Sequence, residues 1–178
     1  MSMGSRPLRD RTVTPIGVVR SPYTVRDDTP LQSGLNRDVR AVVEVDPAYA
    51  DALEGLDGFD YAWLLTWLDH EGQAPPALRQ VPSFLQREGR EVGLFAMRGP
   101  RRINPVGLSL VQVVELSAST LTFAGVDLLD GTVVIDIKPY VTAFDAPPST
   151  PRCGWFDEVD LPASATRRSL RSHDDPAS

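Results

Sequence analysis

Three short stretches of this chain concentrate side chains able to hold an anion or move a proton. The first is RGPRRINPVGLS, from Arg98 to Ser109. Arg98, Arg101, Arg102 and Asn104 sit there between Pro100 and Pro105, which restrict the backbone and make a rigid cationic rim. Guanidinium forks bind carboxylate or phosphate with two parallel hydrogen bonds. A solvated surface turn is the plain alternative. The second stretch is GVDLLDGTVVIDIKPY, from Gly125 to Tyr140. Asp127 and Asp130 flank Leu128 and Leu129 at a turn. Further on, Asp136, Lys138 and Tyr140 alternate onto one face of an extended strand. Lys138 is the single lysine of a chain whose other 17 basic residues are arginines. That choice points to a need for a compact ammonium there, with Tyr140 adding a phenol on the same face, and a surface ion pair is the plain alternative. The third stretch is Asp69-His70, which closes the aromatic run FDYAWLLTWL. Within that run Trp63 and Trp67 fall on one side of a strand and read as core.

Other chemistries are excluded. No Gly-x-Gly-x-x-Gly follows a strand and no Walker-type loop exists, which counts against a Rossmann-type or P-loop nucleotide site. The histidines are His70 and His173, so no Ser-His-Asp order is compelling. The lone cysteine, Cys153, precludes an internal disulfide and a multi-cysteine metal centre, and no metal site is indicated. That cysteine usage suits a reducing, cytoplasmic setting. No apolar run approaches the ~18–20 residues of a membrane span, and the N-terminus lacks the apolar stretch of a secretory signal. A net charge of −6 argues against a uniformly basic nucleic-acid coat. The charge is nevertheless uneven: Arg79 to Arg102 holds six Arg against two Glu, a local excess of +4. An acidic body with one basic strip can still meet an anion locally.

The elements that must position these residues are mostly strands. TPIGVVRS, VRAVVEV, FDYAWLLTWL, GLFAM, VGLSLVQVVEL, LTFAGVDLL and TVVIDIKPY each read as extended. VGLSLVQVVEL alternates with period 2 and predicts a long, mostly buried strand. Asp130-Gly131 predicts a hairpin turn between the last two strands. DPAYADALEGLDG predicts the one helix, with Asp46 as N-cap, Pro47 at the first helical position and Gly55 closing the end. Many short strands and few helices imply an all-β fold, a compact antiparallel β-barrel with one short helix and peripheral loops. Residues 1–12 read as a flexible tail, 13–144 as the barrel and 145–178 as a polar tail, within which the tract CGWF alone is apolar enough to dock.

Five stretches, IGVVRSPY, PLQSG, GLDGFDYAWLLTWLDH, GLFAMRGPRRINPVGLSLV and GVDLLDGTVVIDIKPY, occur in an order that resembles the TsaA-like family of S-adenosylmethionine-dependent tRNA methyltransferases, also called YaeB-like or TrmO-type. The resemblance covers Pro15 to Val141. It implies a barrel that binds S-adenosyl-L-methionine, a homodimer with each site near the subunit interface, and N6-methylation of threonylcarbamoyladenosine beside the tRNA anticodon. It puts cofactor contacts on Pro30, Leu31, Gln32, Asp69, His70, Arg98, Leu108, Asp127, Leu128, Leu129 and Asp130. Lys138, Tyr140 and Asp136 are then catalytic candidates, and Arg101, Arg102 and Asn104 substrate-binding candidates. The chain departs from the family pattern in having Asp69 where His is usual, and Ile103 in place of Pro. Two other readings stay open: a methyltransferase of this fold acting on a small molecule or another RNA, which the acidic body favours, and a non-catalytic S-adenosylmethionine-binding module.

Overall fold

The structure is a computed structural model and describes residues 10–68 and 75–172. Its strands are β1 (Gly17–Arg20), β2 (Arg40–Val45), β3 (Tyr61–Trp67), β4 (Arg79–Gln80), β5 (Val92–Gly93), β6 (Val106–Ser117), β7 (Thr120–Ala124) and β8 (Val133–Pro139). Six of them close into an antiparallel barrel in the order β1-β2-β7-β6-β3-β8, while β4 and β5 form a small ribbon outside it. Closure leaves no barrel strand with an unpaired edge. The all-β barrel expected from the strand count is therefore the fold.

Alternation fills the interior. Val19, Val43, Leu64, Leu121, Phe123 and Val134 are fully buried, and Phe123 is the largest of the sealed side chains. Side chains one residue away along each strand point out of the barrel. For β3 the observed parity corrects the sequence reading, and β6 is long but not mostly buried. Ala62, Leu64 and Thr66 point inward, so Trp63 and Trp67 lie on the outer face, half-buried, and are not core. On β6 the inward set is Gly107, Ser109 and Val111, whereas Val106 and Leu108 remain 37% and 46% exposed. Both faces of these strands are apolar, so period 2 alone could not decide which one closes on the core.

Three local readings also change. Residues 47–53 and 56–58 form 3₁₀ turns. Asp46 does cap the first, accepting from Ala48 N–H at 2.8 Å, with Pro47 following, and Gly55 is left-handed at φ 82°. GLFAM is β5's last residue followed by a 3₁₀ turn, Leu94–Ala96. Asp130-Gly131 does turn, with Gly131 at φ 80°, but β7 and β8 do not pair. β7 pairs β2 and β6, and β8 pairs β1 and β3. Residues 125–132 thus form a crossing at one end of the barrel, and the site residues Asp127 to Asp130 ride on it.

The segment after α1 (Thr142–Asp145) packs against the body. Trp155 Nε1 donates to Ala96 O at 2.7 Å. Ala165 is buried, its carbonyl accepting from Leu31 N–H at 2.9 Å, and Thr166 bridges Pro30. α2 (Arg167–Ser172) follows, and Arg168 forms a two-pronged pair with Asp28. This strap braces residues 27–31 from outside. Among the described residues no helix is long and apolar enough to cross a membrane.

Candidate active site

At the barrel end that carries the 125–132 crossing lies a cavity of about 530 Å³. Three segments separated in sequence converge on it. The loop after β1 brings Pro30, Leu31 and Gln32, the 97–108 segment brings Arg98 and Leu108, and the crossing brings Asp127, Leu128, Leu129 and Asp130. All nine lie in its wall. Asp69 and His70 lie outside the described residues, although their predecessor Leu68 lines the cavity.

Arg98 bolts two of these segments together. Its Nε donates to Gln32 Oε1 at 2.7 Å and an Nη reaches Leu108 O at 3.3 Å. Asp127 ties the third. Its Oδ2 accepts from Ser33 N–H at 2.9 Å and its Oδ1 from Ser109 Oγ at 2.7 Å. Burial raises the proton affinity of this carboxyl, opposed by those hydrogen bonds and by the Arg98 charge. Both oxygens are occupied by protein donors, so Asp127 shapes the wall. Asp130 Oδ1 accepts from Ser21 N–H at 3.1 Å and anchors the crossing to the end of β1. Leu128 is buried, and with Leu31, Leu129 and Trp67 it gives the cavity an apolar side.

Close approach of β3 and β6 beneath the cavity depends on Gly107. A Cβ there would strike Thr66 Oγ1 and meet Leu68 Cδ2 at 3.1 Å. Gly107, Ser109 and Ser33 were not singled out from sequence. Their signal is packing, which spacing does not carry.

The arginine-rich rim divides. Arg102 is held inside its own loop, donating to Met97 O at 2.9 Å and Leu94 O at 3.2 Å, with its guanidinium 5.9 Å from the Phe95 ring centre. It still lines the cavity. Arg101 and Asn104 are exposed. Arg101 lines a smaller adjoining cavity, and Asn104 lines neither. The basic strip is partly neutralised: Arg79 pairs with Glu91, and Arg90 with Glu88 and Glu158. Arg26 and Arg167 join the cavity wall instead, from the loop after β1 and from the segment expected to be a polar tail.

Lys138, Asp136 and Tyr140 are not in the cavity wall. Lys138 lies five residues along β8 from Val133, about 16 Å at a rise of 3.3 Å per residue. It pairs with Asp136 at 2.7 Å, with 62% and 41% of the two side chains exposed. The Tyr140 ring lies 6.1 Å from that of Trp63. These residues sit together on the outer sheet face, at the end away from the cavity. Among the described residues no three His, Cys, Asp or Glu side chains gather as metal ligands would.

Comparison with known proteins places this architecture. A solved structure of TrmO superimposes with a TM-score of 0.66 at 34% identity, covering 81% of this chain and 64% of that one. A "Probable S-adenosyl-L-methionine-binding protein" of Archaeoglobus fulgidus is 35% identical over 157 residues, covering 88% of this chain and 41% of that protein. The "tRNA (adenine(37)-N6)-methyltransferase" of Escherichia coli is 38% identical over 134 residues, 71% of this chain and 56% of its own length. The chain thus spans about half the length of these two relatives. The family described as tRNA-methyltransferase O N-terminal domain matches residues 18–146, from β1 through the cavity walls to the end of α1, and the chain belongs to that family.

Proposed function

We propose that this protein is an S-adenosylmethionine-dependent methyltransferase acting on the N6 nitrogen of an adenosine beside the tRNA anticodon, threonylcarbamoyladenosine being the acceptor. The observation that carries this reading is the convergence of Pro30–Gln32, Arg98, Leu108 and Asp127–Asp130 on one cavity from three segments. The residues present fit an adenosyl sulfonium. The wall offers an apolar side from Leu31, Leu128 and Leu129, and Asp130 on the crossing brings a carboxylate that suits a positive ligand, while Arg26, Arg98, Arg102 and Arg167 line other parts of it. Pro30–Gln32 and Leu128–Leu129 would hold the adenosyl moiety, with Arg98 fixing the spacing between them. When bound, the cofactor supplies an electrophilic methyl group. The protein's own contribution is orientation: rigid walls keep the acceptor nitrogen in line with the methyl.

The outer face of β3 and β6 supports a homodimer. Trp63, Leu65 and Trp67 oppose Leu110, Leu108 and Val106 across the strand pair, a continuous apolar surface. Such a surface on a lone protomer marks an interaction site. It runs into the cavity, because Trp67, Val106 and Leu108 belong to both. A two-fold axis running across the strands near Leu65 would turn the Lys138 end of one protomer toward the cavity of its partner. The partner's Lys138 and Tyr140 would then stand at the acceptor, where Lys138 positions an anionic group and Tyr140 or Asp136 takes the proton that nitrogen loses. A tRNA substrate puts this work in the cytoplasm.

The test is calorimetry with S-adenosylmethionine, followed by mass spectrometry of nucleosides from tRNA incubated with protein and cofactor. Micromolar binding, about −8 kcal/mol, and a mass gain of one methyl on threonylcarbamoyladenosine are expected. Binding without any methylated nucleoside would reduce the protein to a cofactor-binding module.

A further inference from the structure

A second cavity of about 180 Å³ adjoins the first and shares with it the wall from Met97 to Pro100 and Arg167. Part of its lining, Trp155, Phe156 and Arg167, lies beyond the residues 18–146 that the family description spans.

One side of this cavity is aromatic. The Trp155 and Phe156 rings stack with centres 3.8 Å apart and planes 23° apart, and Phe84 meets Phe156 edge-on at 6.3 Å. Trp155 is fixed by its hydrogen bond to Ala96 O. All three rings are half-buried and reach the cavity. The other side is cationic. Arg101 and Arg167 line it, and Arg26 lies in the larger cavity beside Arg167. Arg26 Nη2 is sealed from solvent with no hydrogen-bond partner. Burial, then the charges of Arg167 and Arg101, lower its proton affinity, while Asp27 acts in the opposite sense. A half-buried guanidinium beside two others, with one sealed donor unused, is unfavourable until an anion completes it. A π-surface next to a phosphate clamp is what an unpaired nucleotide requires, because every base offers a stacking face and every linkage a charge.

We propose that this cleft holds one unpaired nucleotide of the acceptor RNA, its phosphate against Arg26, Arg101 and Arg167 and its base against the Trp155–Phe84 wall. The proposal rests on the tRNA reading above and adds to it a subsite built partly by the C-terminal strap. The strap therefore reads the RNA as well as bracing the 27–31 loop.

The test uses the full chain saturated with S-adenosylhomocysteine and a fluorescein-labelled anticodon stem–loop. In the Arg101→Ala variant, which alters the smaller cavity and leaves the wall of the larger one intact, anisotropy should show RNA affinity at least tenfold weaker. The slope of log affinity against log salt should flatten by about 0.7 for the one phosphate released. Calorimetry should show cofactor affinity within about twofold of wild type, a tenfold change being 1.4 kcal/mol. If cofactor affinity falls while RNA affinity holds, the cluster serves the cofactor's carboxylate and the proposal is overturned. Unchanged RNA affinity and salt slope overturn it equally. Trp155→Phe keeps a stacked ring and guards against misfolding as the explanation. Quenching of tryptophan fluorescence by a uridine hexanucleotide should be present in wild type and lost in this variant. Quenching that persists removes Trp155 from the subsite. Should wild type bind no stem–loop at all, the tRNA reading itself fails, whereas wild-type binding with unaffected variants sinks only the subsite.

Discussion

At the scale of single residues, the site is held by polar groups that span segments. Arg98 is the clearest, since it touches both the Pro30–Gln32 loop and the Leu108 backbone. Hydrogen bonds to a charged group contribute about 1.5–3 kcal/mol, and partial exposure of Arg98 favours the lower end. Arg98→Ala should therefore weaken S-adenosylmethionine binding roughly tenfold, measured by calorimetry. Wild-type affinity would show that Arg98 is a rim residue without a bracing role. Asp127 carries a pH signature. Burial raises its folded proton affinity, so the protonated form favours the fold. Its stabilising contribution is present below the usual carboxylate range and is lost as pH rises through the raised folded value. Asp127→Asn keeps an acceptor for Ser33 N–H and offers a donor to Ser109 Oγ. In urea titrations from about pH 4 to about pH 8 the variant should lack the stability loss that Asp127 imposes on the wild type with rising pH. Identical slopes for the two proteins would show that Asp127 titrates normally.

At the scale of elements, the barrel end is shaped by how tightly β3 and β6 approach. Gly107 faces inward against Thr66, whose Oγ1 is buried without a hydrogen-bond partner. Gly107→Ala forces one methyl into that contact. Overpacking of this kind costs about 1–3 kcal/mol, which lowers Tm by about 2–4 °C per kcal/mol for a chain of this size. Scanning calorimetry checks the drop. Adding Thr66→Ala should recover most of it, because the struck atom is gone, and failure of that rescue would place the strain in the backbone. The 125–132 crossing shows the same dependence on neighbours. Its anchor points are Ser21, Ser33 and Ser109, each supplied by a different segment, so the loop has its shape only inside the closed barrel.

At the scale of the whole molecule, the apolar outer face of β3 and β6 is where the proposed dimer can be tested. Leu65 and Leu110 lie on that face outside the cavity wall. Leu65→Glu with Leu110→Glu should shift the mass by light scattering from about twice 19.5 kDa to the protomer value. Methyl transfer should fall with it if the site draws on both protomers. Wild-type protein that already scatters as a 19.5 kDa species would remove the dimer. Mixing supplies a sharper check of Lys138. Lys138→Ala and Arg98→Ala homodimers should both be poor enzymes. A mixed dimer should regain about half of wild-type turnover at one of its two sites, provided Lys138 acts across the interface. No recovery on mixing would confine Lys138 to its pair with Asp136, an exposed pair worth at most about 1 kcal/mol.

Much of the fold was legible in the residues. Alternation within VRAVVEV, YAWLLTW and VGLSLVQVVEL marks strands because side chains in extended chain point to opposite faces. The capping of Asp46 and the turn at Gly131 are local chemistry, readable within a few residues. The stretches around Gln32, Arg98 and Leu128 entered through the family resemblance, and the fold gathers them on one cavity wall. Tertiary structure decided the rest. Trp63, Trp67 and Leu108 are as apolar as their inward neighbours, so only barrel closure settled which parity faces the core. Asp130-Gly131 joins strands that pair elsewhere, because a turn specifies a change of direction and not the partner of the strand that follows. Arg26 and Arg167 stand 141 positions apart in sequence, and no spacing rule joins them. They meet because the Leu31–Ala165 hydrogen bond and the burial of Ala165 lay the C-terminal strap across the loop after β1, a contact that exists only once the chain is folded.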